Sequence, residues 1–191
     1  TKRANHAEDL AVEALTNGCD YLIAVGGDGT LNEVVNGYLH AGGRLTFPTV
    51  LGVLPWGTGN DFVRSIGVGK SVSELAELID RKAVVLVDAG QICLENPGSR
   101  GEVRYFDNIA DLGIGAEVVA RINGVHLRKR ILGGTLIFFF TVLKTFLIYR
   151  HKKMRISWEG FSWEGSVLAL VVANGQFFGS GVGVAPNAKL D

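Results

Sequence analysis

The sequence is poor in cysteine, proline and methionine, with two, four and one among 191 residues, and it carries no net charge. Cys19 and Cys93 form no Cys-x-x-Cys pair and have no histidine nearby, which excludes a disulfide framework and a zinc site and fits a reducing compartment. So few prolines, with no Gly-X-Y period, exclude a collagen or a proline-rich linker. Nineteen basic residues balanced by nineteen acidic ones exclude a histone-like polycation. A hydrophobic fraction of 47% and a mean hydropathy of +0.24 exclude a disordered tail. No apolar leader opens the chain at Thr1 and no tail follows Lys189-Leu190-Asp191, so the sequence is expected to be cut from a longer protein. Carboxylates are missing locally as well: residues 121–155 hold nine Lys/Arg and no Asp or Glu, whereas residues 1–120 hold nine basic and sixteen acidic residues. Like-signed blocks of this kind usually face an oppositely charged partner.

What is plentiful is glycine, 26 residues, which should mark turns, strand ends and ligand loops. Ala7, Leu10, Ala11, Ala14 and Leu15 recur at helical spacing, Gly18 closes the pattern, and Tyr21–Val25 is a short apolar run of strand character. Gly26-Gly27-Asp28-Gly29 then turns into a second helical pattern through Leu31, Val34, Val35, Tyr38 and Leu39. A further strand, Val50–Leu54, runs into Pro55-Trp56-Gly57-Thr58-Gly59-Asn60, and Ser71 with Glu74 forms a capping-box pattern for a helix to about Asp80. Alternating strands and helices of this length predict a parallel sheet covered by helices. After Ala83 the pattern becomes β-rich over Val84–Leu94, Val103–Ile109, Met154–Trp158 and Val167–Ala173. Helical stretches interrupt it near Ala116–Ile122 and from about Leu132 to Tyr149, and Trp158 and Trp163 flank a Gly160 turn. A domain boundary is expected near Val87-Asp88.

A strand that ends in Gly-Gly-Asp-Gly-Thr and turns straight into a helix can bind an anion, because glycines let backbone N–H groups approach and the helix N-terminus is partly positive. Asp28 would repel bare phosphate, which makes sense if it holds Mg²⁺ or a water on Mg²⁺. The alternative is a plain tight turn with Asp28 as a helix cap. The second loop should emerge at the same carboxyl edge of a parallel sheet, where ligands bind. It would bring Thr58, Asn60 and Asp61 beside Asp28, although Asn60-Asp61 could merely cap a helix over Phe62–Ile66. The histidines His6, His40, His126 and His151 are scattered and pair with no Ser or Asp, which argues against a hydrolase triad.

Gly26-Gly27-Asp28-Gly29-Thr30-Leu31-Asn32-Glu33-Val34-Val35-Asn36-Gly37, followed by Leu54–Arg64 with its Gly57-Thr58-Gly59-Asn60-Asp61-Phe62, resembles the diacylglycerol kinase catalytic domain, especially that of bacterial soluble lipid kinases. Val87–Gly90, Phe106-Asp107-Asn108 with Leu112–Val118, and Val172–Gly181 with Ala185–Ala188 extend the match over nearly the whole chain. The resemblance implies an α/β nucleotide-binding domain over 1–87, lacking its first strand, and a β-rich, sandwich-like lipid-binding domain over 88–191, lacking its C-terminal part. It implies ATP in contact with Thr1, Gly27, Asp28, Gly29, Thr30, Leu31, Asn32, Glu33 and Thr58. It implies Mg²⁺ held by Asp28, Asp61 and Asp88, partly through water, and a second metal near the backbone of Lys189. The family's general base would lie beyond Asp191, so this stretch is expected to be inactive alone. A lipid hydroxyl, diacylglycerol by default, is the expected acceptor. Sphingosine or ceramide kinases, NAD kinase, which shares the first glycine loop, and a nucleotide-binding membrane module without transfer are the alternatives.

His126–Arg130 and Arg150–Lys153 flank Ile131–Tyr149, a stretch whose one charge is Lys144. It reads as a marginal transmembrane span, as a core helix with solvated ends, or as an interfacial helix. In the interfacial reading Phe138, Phe139 and Phe140 wedge into lipid while Arg128, Lys129, Arg130, Lys152 and Lys153 meet anionic headgroups. The expected protein is therefore cytoplasmic and peripherally membrane-associated. Nucleic acid is not an expected partner, since the aromatics form a block rather than spaced stacking platforms. An exposed sheet edge makes homodimerisation an expectation too.

Overall fold

The computed structural model describes residues 1–42, 49–94, 101–123 and 134–190. In the first part, α1 (His6–Thr16), β1 (Tyr21–Gly26), α2 (Asp28–Ala41), β2 (Val50–Pro55), α3 (Asp61–Ile66) and α4 (Val72–Asp80) alternate along the chain. The α/β expectation is met: β1 and β2 run parallel in the register Tyr21 to Val50 through Gly26 to Pro55, so both strands end at one edge. Ala7 and Ala11 of α1 pack with Leu31, Val34 and Val35 of α2, Ala24, Val53, and Phe62 and Val63 of α3. Fully burying an aliphatic or aromatic side chain of this kind contributes about 1.5–3 kcal/mol, which is what holds the helices on the strand pair.

The second part is β-rich, as the pattern implied. It comprises β3 (Gly90–Leu94), β4 (Glu102–Phe106), β5 (Ile109–Gly113), α5 (Ile114–Asn123), α6 (Gly134–Ile148), β6 (Lys152–Trp158), β7 (Phe161–Val167), β8 (Ala169–Ala173), β9 (Phe177–Phe178) and β10 (Val182–Gly183). β3 pairs antiparallel with β4, β6 with β7, and β9 with β10, while β5 lies beside β8. The Gly160 turn, φ 75°, joins β6 to β7 with Trp158 opposite Phe161. One strand starts later than its sequence implied. Val84, Val85 and Leu86 are exposed and unpaired, and the ladder begins at Gly90 opposite Phe106, because an apolar run becomes a strand only where it finds a neighbouring backbone. Ser71 caps α4 with a simpler contact than the capping box: its Oγ accepts from the Ser73 N–H, one residue before Glu74.

The chain forms two compact units, one of residues 1–109 with 173–191 and one of residues 110–172. Residues 88–109 and 173–190 thus fold with the α/β part. Asn36, 2% exposed, makes the junction: its amide donates to the Tyr105 carbonyl at 2.9 Å and its Oδ1 accepts from the Tyr105 N–H at 2.9 Å. A side chain that completes both hydrogen bonds of a β4 residue fixes that strand against α2.

Candidate functional site

The two glycine loops meet at the ends of β1 and β2. A Cβ on Gly57 would stand 2.2 Å from the Gly27 Cα, so the backbones touch and neither position has room for a side chain. The Trp56 N–H donates to the Gly26 carbonyl at 3.0 Å, continuing the strand ladder into the loops. Asn60, in left-handed backbone at φ 54°, braces the second loop by exchanging two hydrogen bonds with the Gly57 backbone, at 3.1 and 2.7 Å.

Asp28 opens α2, yet its side chain serves another helix. Its Oδ1 accepts from the N–H groups of Asp61 and Phe62, at 2.7 and 3.3 Å, so Asp28 caps α3 and ties one loop to the other. A Cβ on Gly59 would lie 2.8 Å from Asp28 Oδ2 and 3.6 Å from Asp61 Oδ2, which brings the two carboxylates together beside that glycine. Asp61 is 5% exposed. Its Oδ2 accepts from the Ser180 N–H at 2.9 Å, while its Oδ1 is buried, has no hydrogen-bond partner among the described residues and lies 3.8 Å from the Arg64 Nε.

Two further residues border this pair that motif reading left without a role. Asp107, 7% exposed, takes a hydrogen bond from Asn32 Nδ2 at 3.3 Å. Burial pushes its carboxyl above the usual carboxylate range and the nearby charge of Asp28 adds to the rise, against the lowering pull of the Asn32 amide. Asn174 donates to the carbonyls of Asp88 and Asp107, at 2.6 and 2.8 Å, while its N–H and that of Gly175 reach the Asn108 carbonyl. The signal for both was their presence in the Phe106-Asp107-Asn108 and Ala173-Asn174-Gly175 segments of the resemblance.

Asn32 faces Tyr105 and Asp107. Glu33 has both oxygens committed to the N–H groups of Asn5 and Ala7, so it caps α1. Gly29 and Thr30 lie in the first turn of α2, Leu31 is in the core, and Thr1 and Thr58 are exposed. Asp88 is exposed and is held through its backbone, its N–H donating to the Leu190 carbonyl at 2.7 Å beside Lys189. Among the described residues no group of three or more His, Cys, Asp or Glu is arranged to enclose a metal ion. Asp28 and Asp61 are brought together, and Asp88 does not close a three-ligand set with them.

The donor chemistry nevertheless fits a hard cation and a phosphate chain. Two carboxylates converge beside Gly59, and a buried carboxylate oxygen without a hydrogen bond is costly unless a cation or water meets it.

In the second unit, α6 packs on α5 and leaves Phe140, Leu143, Phe146, Leu147 and Ile148 exposed, with Lys152 and Lys153 exposed on β6. Arg128, Lys129 and Arg130 lie outside the described residues, as do the side chains of Phe138 and Phe139. Among the described residues no helix is long and apolar enough to cross a membrane.

Residues 1–92 match the family model described as the diacylglycerol kinase catalytic domain, and residues 108–191 match that of the YegS C-terminal NAD kinase beta sandwich-like domain. A Pseudomonas fluorescens protein named "Probable lipid kinase YegS-like" is 35% identical over the whole chain, which covers 58% of that protein. A Pseudomonas aeruginosa protein of the same name is 34% identical over 97% of the chain, covering 56% of its own length. A crystal structure described as a diacylglycerol kinase from Bacillus anthracis str. Sterne superposes with a TM-score of 0.66 at 27% identity, over 100% of this chain and 57% of that one. The chain therefore spans a little under three fifths of the length of these relatives.

Proposed function

Because residues 1–92 belong to the diacylglycerol kinase catalytic domain family and residues 108–191 to the YegS C-terminal domain family, we propose that the protein carrying this chain transfers the γ-phosphate of ATP to the hydroxyl of a membrane lipid, diacylglycerol by default. The observation that supports this most is the pairing of Asp28 and Asp61 across two abutting glycine loops, with one Asp61 oxygen buried and free of hydrogen bonds. The backbone of Gly27–Thr30 at the start of α2 offers N–H groups and a favourable partial charge to phosphate oxygens. Asp28, Asp61 and Asp88 would hold Mg²⁺, partly through water. A bound ion would neutralise charge on the phosphates, which is most of what phosphoryl transfer requires beyond alignment.

The protein's own residues supply the alignment. Asp28 locks the second loop against the first through the α3 N–H groups, so that Thr58 follows directly on the contact between Gly57 and Gly27. Glu33 holds the N-terminal end of α1, and so the Thr1 segment, against α2, which makes its role toward ATP indirect. The exposed apolar side of α6 with Lys152 and Lys153 is the proposed contact with an anionic membrane, as befits a cytoplasmic, peripherally bound enzyme.

The test is phosphate transfer from ATP to diacylglycerol, sphingosine, ceramide and NAD by the protein that carries this chain, with Asp28→Asn as control. The substituted amide keeps an acceptor for the α3 N–H groups but lacks the charge, so transfer should fall by about 100-fold or more while the fold is kept. Transfer to a sphingoid base or to NAD would reassign the acceptor. ATP binding with no transfer to any of them would leave a nucleotide-binding module, and unchanged transfer in Asp28→Asn would overturn the metal assignment.

A further inference from the structure

Gly179, Ser180 and Gly181 are three consecutive residues with positive φ, at 67°, 73° and 98°. Glycine takes such values freely, whereas a serine there occupies a region that side-chain-bearing residues rarely visit and keep only where their surroundings fix them. Here the fixing contact is the hydrogen bond from the Ser180 N–H to Asp61 Oδ2, which joins residues 119 apart in the chain. The flanks of the turn are anchored on the same helix. The Gln176 N–H reaches Ser65 Oγ at 3.5 Å, and a Cβ on Gly181 would lie 3.5 Å from the Arg64 guanidinium carbon. The N–H groups of Val184 and Ala185 close the far side on the Gln176 carbonyl.

A carboxylate has two oxygens, and which one meets a cation depends on what holds the other. Asp61 Oδ2 is taken by Ser180, and Oδ1 is the buried atom without a hydrogen bond. We infer that Ser180 is a positioning residue for Asp61: its left-handed backbone turns an N–H onto Oδ2 and thereby sets the orientation in which Oδ1 is offered to the divalent ion. This rests on the proposed cation role of Asp28 and Asp61. The working group is the backbone and not the hydroxyl. A residue at ease with φ near +73° should therefore preserve the function, and a β-branched one, which resists that region, should not.

The experiment measures binding of N-methylanthraniloyl-ATP to the protein that carries this chain, in Mg²⁺ and in EDTA, and compares the ratio of the Kd in EDTA to the Kd in Mg²⁺. Ser180→Val should lower that ratio about tenfold with an unchanged circular dichroism spectrum, the size expected when a hydrogen bond to a charged group is lost. Ser180→Gly should hold the wild-type ratio. A wild-type ratio in Ser180→Val, with the ratio lost in Asp61→Asn, overturns the positioning role while leaving the cation reading intact. A ratio unmoved in both Asp28→Asn and Asp61→Asn overturns the cation reading itself. A lowered ratio in Ser180→Gly would transfer the role to the hydroxyl and overturn the backbone assignment. A check free of substitution at Ser180 is its amide proton resonance, which should shift when Mg²⁺ and ATP are added to the wild type and stay still in Asp61→Asn. An unresponsive amide in the wild type overturns the inference.

Discussion

Single residues here do work that their position in a motif does not announce. Asp28 lies at the head of α2 but caps α3, and Glu33, expected on the nucleotide, holds the start of α1 with both oxygens. Asp107 is the sharpest case, being buried, hydrogen-bonded to Asn32 and within reach of the Asp28 charge. Its folded value stands above the ordinary carboxylate value of 3.8. The sign follows: the contribution is full below that ordinary value, where both folded and unfolded chains are protonated, and is lost as pH rises through the folded value. Asp107→Asn should therefore be more stable than the wild type at pH 7 in EDTA, with the difference closing on acidification toward pH 4, as read from urea midpoints. A difference that did not change with pH would mean that the desolvated charge is not its cause.

At the scale of elements, hydrophobic period and turn chemistry placed β1, α2, β2 and the start of α3 close to where they are found. Both signals are local: a helix or strand buries its own face, and glycines punctuate it. The strand expected from Val84 failed for the complementary reason, that pairing needs a partner which a run of valines does not specify. The contact of the two glycine loops is likewise an element-level property, since it depends on β1 and β2 ending in register. Gly57→Ala should cost about 1–3 kcal/mol in urea unfolding, because the new methyl meets the Gly27 backbone, which no side-chain rotation can relieve. It should also weaken nucleotide binding more than Gly29→Ala, a position where a Cβ meets nothing within 4 Å. Equal effects at the two positions would mean that the loops are not in contact.

Over the whole molecule, the zero net charge is the sum of an acidic half at 1–120, a basic, apolar block at 121–155 and a weakly acidic end at 156–191. The acidic half contains the carboxylates proposed to need Mg²⁺ before ATP can approach. The basic block includes α6, whose exposed Phe140, Leu143, Phe146 and Leu147 lie close in the chain to Lys152 and Lys153. If this surface meets anionic lipid, each cation near it contributes about 1 kcal/mol. Reversing Arg128, Lys129, Arg130, Lys152 and Lys153 to Glu should then abolish flotation with phosphatidylglycerol vesicles, and raised salt should weaken the wild type. Unchanged flotation of the reversed chain would remove the membrane assignment.

The two glycine and carboxylate loops, the parallel α/β order that sets them at one sheet edge, and the separation of charge are all legible in local sequence, because period, turn chemistry and composition are written over a few neighbouring residues. Which carboxylates stand together, and what holds them, depends on the folded chain. Asn32 meets Asp107 across 75 residues and Ser180 meets Asp61 across 119. Pairings over such distances arise when distant segments are packed into one core, and no local pattern encodes them.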